Sequence, residues 1–112
     1  MDATDKKKES MMSLPLNYML KSGESINIDD PRQYLLRDIG EKRALLNWIH
    51  NDMAARSLRR CTSYALKHLF ENATGVYVTN GVFKGAMLAA GFEPKDSSEQ
   101  NWRFKYKALS TE

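Results

Sequence analysis

Absences narrow this 112-residue chain first. A single cysteine, Cys61, excludes an internal disulfide. The two histidines, His50 and His68, fall on different predicted helices with no cysteine or carboxylate at ligand spacing, so no metal site is expected. There is no glycine-rich phosphate loop and no elbow serine, and Tyr64 and Tyr77 have no nearby base in sequence. The expectation is a protein that is not an enzyme and carries no cofactor. No apolar run approaches the length of a membrane span. The opening Met-Asp-Ala-Thr-Asp-Lys-Lys-Lys has no apolar stretch behind it, unlike a secretion signal. A cytoplasmic location without a membrane partner is therefore expected.

What is present suits one small globular domain. About two fifths of the chain is apolar, with Trp48, Phe70, Phe83 and Trp102 as candidate core aromatics. The net charge of +3 is unevenly spread. Residues 56–112 carry nine basic and five acidic side chains, whereas residues 1–55 are close to balanced. A polyanion would be drawn to the carboxyl-terminal half. A solvated surface that keeps a small protein soluble explains the same charge.

Local signals divide the chain. Residues 1–28 read as a flexible tail containing one apolar segment, Leu14–Leu20. Pro15 opens a short helix there if Ser13 caps it; the alternation of Leu14, Leu16, Tyr18 and Leu20 suits an extended arm instead. Either form would cover the core, dock a partner or pair two copies of the chain. Asp29-Asp30-Pro31 starts a short helix bearing Tyr34, Leu35 and Leu36. Asp38 and Glu41 form a capping box for the next, whose apolar side runs from Ile39 to Met53 and which ends near Arg56. Helices are predicted over Ser63–Ala73 and Thr79–Ala90. The second of these stops at Gly91, with Phe92 folding back. Val76-Tyr77-Val78 suits a small strand. In a strand over Trp102–Lys107, Trp102, Phe104 and Tyr106 would face the core, and Arg103, Lys105 and Lys107 the solvent.

Two helices followed by a strand with a basic face give the outline of a winged helix. The expected fold class is α+β: three main helices and a two- to three-stranded antiparallel sheet near Phe92–Lys95, Trp102–Lys107 and Val76–Val78. The domain would span residues 29–109, with residues 110–112 frayed. On that geometry the Thr79–Ala90 helix enters duplex DNA, presenting Thr79, Asn80, Gly81 and Lys84. Free N–H groups at residues 80–82 would hold a phosphate. Arg103, Lys105 and Lys107 would grip the backbone, with Arg59, Arg60 and Lys67 extending the patch. Gly81 and Gly85 each cost about 1 kcal/mol inside a helix, so a close approach to DNA or to a packed neighbour is expected to offset them. Against the DNA reading stand the single lysine on that helix face and an acidic-to-neutral tip, Asp96-Ser97-Ser98-Glu99.

The run Ser63-Tyr64-Ala65-Leu66-Lys67-His68-Leu69-Phe70-Glu71, then Tyr77 to Phe92, then Asn101-Trp102-Arg103-Phe104 resembles small proteins of phages and integrated mobile elements of Gram-positive bacteria. The resemblance spans about two thirds of the chain and implies a genetic setting rather than a chemistry. A second likeness, of shape, is to the C-terminal winged-helix segment of phage and plasmid replication primase-helicases, although no ATPase or primase motif accompanies it here. The expected function is a small DNA-binding accessory or regulatory protein of a mobile element. The alternative is a protein-interaction module with no nucleic-acid contact, docking through Leu14–Leu20 and the glycine-bearing helix.

Overall fold

The structure is a computed structural model that describes residues 13–21, 23–52 and 61–105. Its α-helices are α1 (Ile39–Asp52), α2 (Ser63–Thr74) and α3 (Asn80–Ala89). Two 3-10 segments precede them, at Leu16–Tyr18 and Pro31–Leu36.

Each start and stop has a local cause. Asp30 accepts the Arg32 N–H at 2.9 Å, and Pro31 takes the first position, where a missing donor costs nothing. Asp38 accepts the Glu41 N–H at 2.8 Å to open α1. The Glu41 carboxylate turns to Arg37 at 2.7 Å rather than closing the box. Thr62 caps α2 through the Ala65 N–H, and Gly75 closes it at φ +75°. Thr79 caps α3 through the Val82 N–H at 3.2 Å. Gly91 (φ +99°) ends it: the Gly91 N–H returns to Leu88 O and the Phe92 N–H to Met87 O, the two bonds of a Schellman stop.

The core forms where the three α-helices meet. Trp48 of α1 packs edge-on against Phe70 of α2 at 5.6 Å and Phe83 of α3 at 6.0 Å. Helix α3 is the centre of the molecule, for every residue from Asn80 to Leu88 is buried. Its glycines explain how. A Cβ on Gly81 would overlap the carbonyl oxygens of Ile28 and Asp30, and one on Gly85 would overlap Pro31 O and Tyr34 Cβ. The backbone of residues 28–34 thus lies directly on α3. This contact offsets the helical cost of both glycines.

The amino-terminal apolar segment covers part of the core. Leu14 is buried, and Tyr18 meets Trp102 edge-on at 6.2 Å. Pro15 rather than Ser13 precedes its 3-10 turn. Leu16 and Met19 face outward.

The α+β, winged-helix-like class is corrected. No sheet occurs among the described residues; pairing is confined to isolated bridges, Thr62 with Arg103 and Pro94 with Phe104. Pro94 brings no N–H to a ladder. The Lys95 N–H reaches Arg103 O and the Lys105 N–H reaches Glu93 O, both at 2.8 Å. Val76–Val78 is not a strand because side chains of α2 take its donors: the Val76 N–H goes to Thr74 Oγ1 and the Val78 N–H to Glu71 Oε2. The alternation at the carboxyl end is present without a sheet, since Trp102 and Phe104 are buried while Arg103 and Lys105 are exposed. Tyr106, residues 1–12, the helix end expected near Arg56 and residues 110–112 lie outside the described residues.

Candidate functional site

The residues expected to touch DNA do not form one surface. Asn80, Gly81 and Lys84 are buried. Asn80 Nδ2 donates toward Gln100 O (2.9 Å), Asn101 Oδ1 (3.1 Å) and Asp29 Oδ1 (3.3 Å). Its Oδ1 accepts from Ser63 Oγ at 2.8 Å, and that hydroxyl accepts the Trp102 N–H at 3.0 Å. Asn80 is a fully bonded buried hub. Lys84 donates to the Asp29 carbonyl at 2.9 Å and lies 4.9 Å from the Trp102 ring centre. Burial holds its ammonium below the ordinary lysine value, against the opposing pull of Asp29 and Asp30.

Two of the three amides expected to hold a phosphate are occupied too. The Gly81 N–H donates to Ile28 O at 2.9 Å, and the Val82 N–H to Thr79 Oγ1. Lys67 is buried on α2 and paired with Glu71 at 3.1 Å. Arg103 and Lys105 alone of the described set are open to solvent, and Lys105 meets Glu93 at 3.3 Å. Arg59, Arg60 and Lys107 lie outside the described residues.

A different set converges. Tyr64 and His68 stand one turn apart on α2, ring centres 4.4 Å apart. Tyr77 stands on the loop between α2 and α3. Together with Ile28 these side chains wall a groove of about 360 Å³. Its polar lining is Asp29, Lys67, Thr79, Asn80, Gln100 and Asn101. Tyr77 is 76% exposed, Ile28 65% and Tyr64 50%, unusually open for large apolar side chains so close together.

Glu71 organises this wall. Its carboxylate accepts the Val78 N–H at 2.9 Å and the Lys67 ammonium at 3.1 Å, and His68 Nδ1 lies 3.3 Å from its other oxygen. Burial pushes its pKa up, but the Val78 N–H and the Lys67 charge outweigh that and hold it below the ordinary glutamate value. The carboxylate thereby ties the loop carrying Tyr77 to α2. The Lys67 ammonium sits beneath both rings, 5.7 Å from the Tyr64 centre and 5.0 Å from the Tyr77 centre.

No group of three or more histidine, cysteine, aspartate or glutamate side chains able to hold a metal occurs among the described residues. No helix among them is long and apolar enough to cross a membrane. Neither a family model, nor a curated protein, nor a solved structure matches the chain.

The groove was only partly signalled by the sequence. Tyr64 and His68 fall off the Leu66–Leu69–Phe70 stripe of α2 at an i, i+4 spacing that places one beside the other. Tyr77 alternates with Val76 and Val78 and so points away from the buried Val78. Nothing local announces that Ile28 and Asp29 close the other side.

Proposed function

We propose that this protein is a non-enzymatic protein-interaction module, of a phage or mobile element, that docks a partner chain in the Tyr64–Tyr77 groove. The observation that carries the reading is the division of the surface. The helix that would enter DNA is buried along its length, while two tyrosines and an isoleucine stand open around one concavity. Exposed aromatic side chains on a rigid frame are common anchors for partner proteins, because a ring contributes large contact area with little rotamer entropy lost. The frame here is firm: Glu71 pins the loop of Tyr77, and the Asn80 hub pins residues 100–101 opposite.

This docking surface differs from the one expected on the alternative reading. The glycine-bearing helix is used up inside the fold. The Leu14–Leu20 segment gives Leu14 and Tyr18 to the core and leaves Leu16 and Met19 outside. Of the described set, duplex DNA would retain Arg103 and Lys105 as exposed phosphate contacts.

A photo-cross-linking residue placed at Tyr77, in the cells that naturally carry the gene, tests the proposal. Cross-links to a defined protein are expected at that position and not at Asn47, on the exposed side of α1. Cross-links from Tyr77 to nucleic acid, or equal products from both positions, would overturn it.

A further inference from the structure

We infer that the groove receives the guanidinium group of an arginine on the partner chain, an inference that rests on the docking reading above. Three features of the groove point to that chemistry.

The two rings are already arranged for a cation. One ammonium, that of Lys67, lies within cation–π distance of both Tyr64 and Tyr77 on their inner side. The remaining ring surface is open to solvent. A planar cation stacks on an exposed tyrosine face more favourably than a compact ammonium does, because it is more weakly hydrated and flat.

The Lys67 charge does not repel such a visitor strongly, since Glu71 neutralises it at 3.1 Å. The same pairing disfavours an anionic ligand. A phosphate or carboxylate entering the groove would meet the Asp29 carboxylate, and the Lys67 ammonium in the lining is already paired with Glu71.

Asp29 supplies the counter-charge. Its carboxylate accepts only from neutral amides, Asn80 Nδ2 at 3.3 Å and Gln100 Nε2 at 3.1 Å. Lys84 donates to the Asp29 backbone carbonyl instead. Among the described residues no cation forms an ion pair with the Asp29 carboxylate, whereas its neighbour Asp30 is matched by Arg32 at 2.8 Å. Each oxygen keeps a lone pair for a two-pronged donor. A guanidinium offers such a fork and a lysine does not. Gln100 and Asn101 at the rim would take up the backbone amides of the segment that carries the arginine.

The probe is N-acetyl-L-argininamide, titrated into the full chain while the Tyr64 and Tyr77 ring resonances are followed by NMR. Saturable shifts of both rings are expected, with a dissociation constant in the millimolar range. N-acetyl-lysinamide should bind several-fold more weakly, and Asp29→Asn about tenfold more weakly. Tyr77→Leu, at a solvent-exposed loop position, gives a second variant that leaves the core untouched and should lose the response. Absence of a saturable shift, or shifts undiminished in both variants, would overturn the inference. Saturation by guanosine monophosphate in place of argininamide would overturn it as well, by assigning the groove to a nucleobase. A protein cross-link at Tyr77 with no argininamide response would reject the guanidinium while keeping the docking site. A nucleic-acid cross-link would reject both.

Discussion

Gly85 sits against Tyr34 so tightly that a methyl group on the glycine would overlap the tyrosine Cβ. The contact joins the middle of α3 to the 3-10 helix Pro31–Leu36, and backbone lines the same site at Pro31 O. Neither side has a flexible end that can move aside. Gly85→Ala gains helix propensity of about 1 kcal/mol. It must also push two backbones apart, and overpacking of a filled core typically costs about 1–3 kcal/mol. A net loss of up to about 2 kcal/mol is expected from urea denaturation, with Gly81→Ala behaving alike. Gly40→Ala meets only the Asp38 carboxylate at 3.3 Å and should change stability by less than about 1 kcal/mol.

Tyr34 itself carries a buried hydroxyl with no hydrogen-bond partner among the described residues. Its burial raises the phenol pKa above the ordinary tyrosine value, with no charged neighbour contributing. An unsatisfied buried hydroxyl costs about 1–3 kcal/mol, whereas the ring is needed where it is. Tyr34→Phe is therefore expected to stabilise the protein, by about 1 kcal/mol, in thermal or urea denaturation. Tyr34→Ala should destabilise it by about 3–5 kcal/mol through the cavity left behind.

Asn80 bonds four residues on three separate segments, so its loss should exceed that of an average polar side chain. Asn80→Ala strands Ser63 Oγ without its acceptor and frees residues 100–101, for an expected cost of about 2–4 kcal/mol. Asn80→Asp should cost more. Its new oxygen would face Gln100 O, Asn101 Oδ1 and the Asp29 carboxylate, where the amide now donates. Denaturation of the two variants side by side separates a structural role from a surface one. A DNA-reading asparagine would leave stability unchanged.

Acid should loosen the groove before it unfolds the core. The folded pKa values of Glu71 and Asp30 lie below their ordinary values. For Asp30 the Arg32 hydrogen bond is the main cause. A carboxylate depressed in the folded state contributes stability at every pH above its unfolded value, about 4. That contribution disappears as pH falls through the lower folded value. Wild-type stability should therefore fall below about pH 4, and Glu71→Gln should be less stable near neutrality and show a shallower decline. Amide exchange at Val78, whose N–H Glu71 accepts, should quicken in the variant.

Much of the frame was legible residue by residue. Asp30 with Pro31, the Asp38 cap, Thr62, Thr79 and the Gly91-Phe92 stop each act over four or five positions, and each lies where the local signal put it; of the Asp38–Glu41 box only the Asp38 half forms, because Glu41 pairs with Arg37. The four candidate core aromatics are all buried, joined by Tyr34, Phe92 and Phe104. The errors share a different origin. Val76–Val78 and the carboxyl segment have strand composition, but whether a strand forms depends on what takes its backbone groups, and Glu71 and Thr74 take the first pair. Asn80 and Lys84 look like surface residues because polar side chains usually are. Only the fold reveals a carbonyl waiting for each. The glycines gave the one usable warning, since two of them one turn apart imply that something lies against the helix. That something is the 28–34 backbone.

The placement of that cover has a consequence for how the chain is made. Residues 28–36 leave the ribosome before Asn80 does. The lid for α3 is thus already synthesised when a segment that the fold buries on nearly every side first meets water, and the interval in which that segment stands naked is short. Reversing the order, by circular permutation that moves residues 13–36 behind residue 105, would keep the same residues to cover α3. It would also lengthen the exposure, and the permuted chain should be recovered mainly as aggregate.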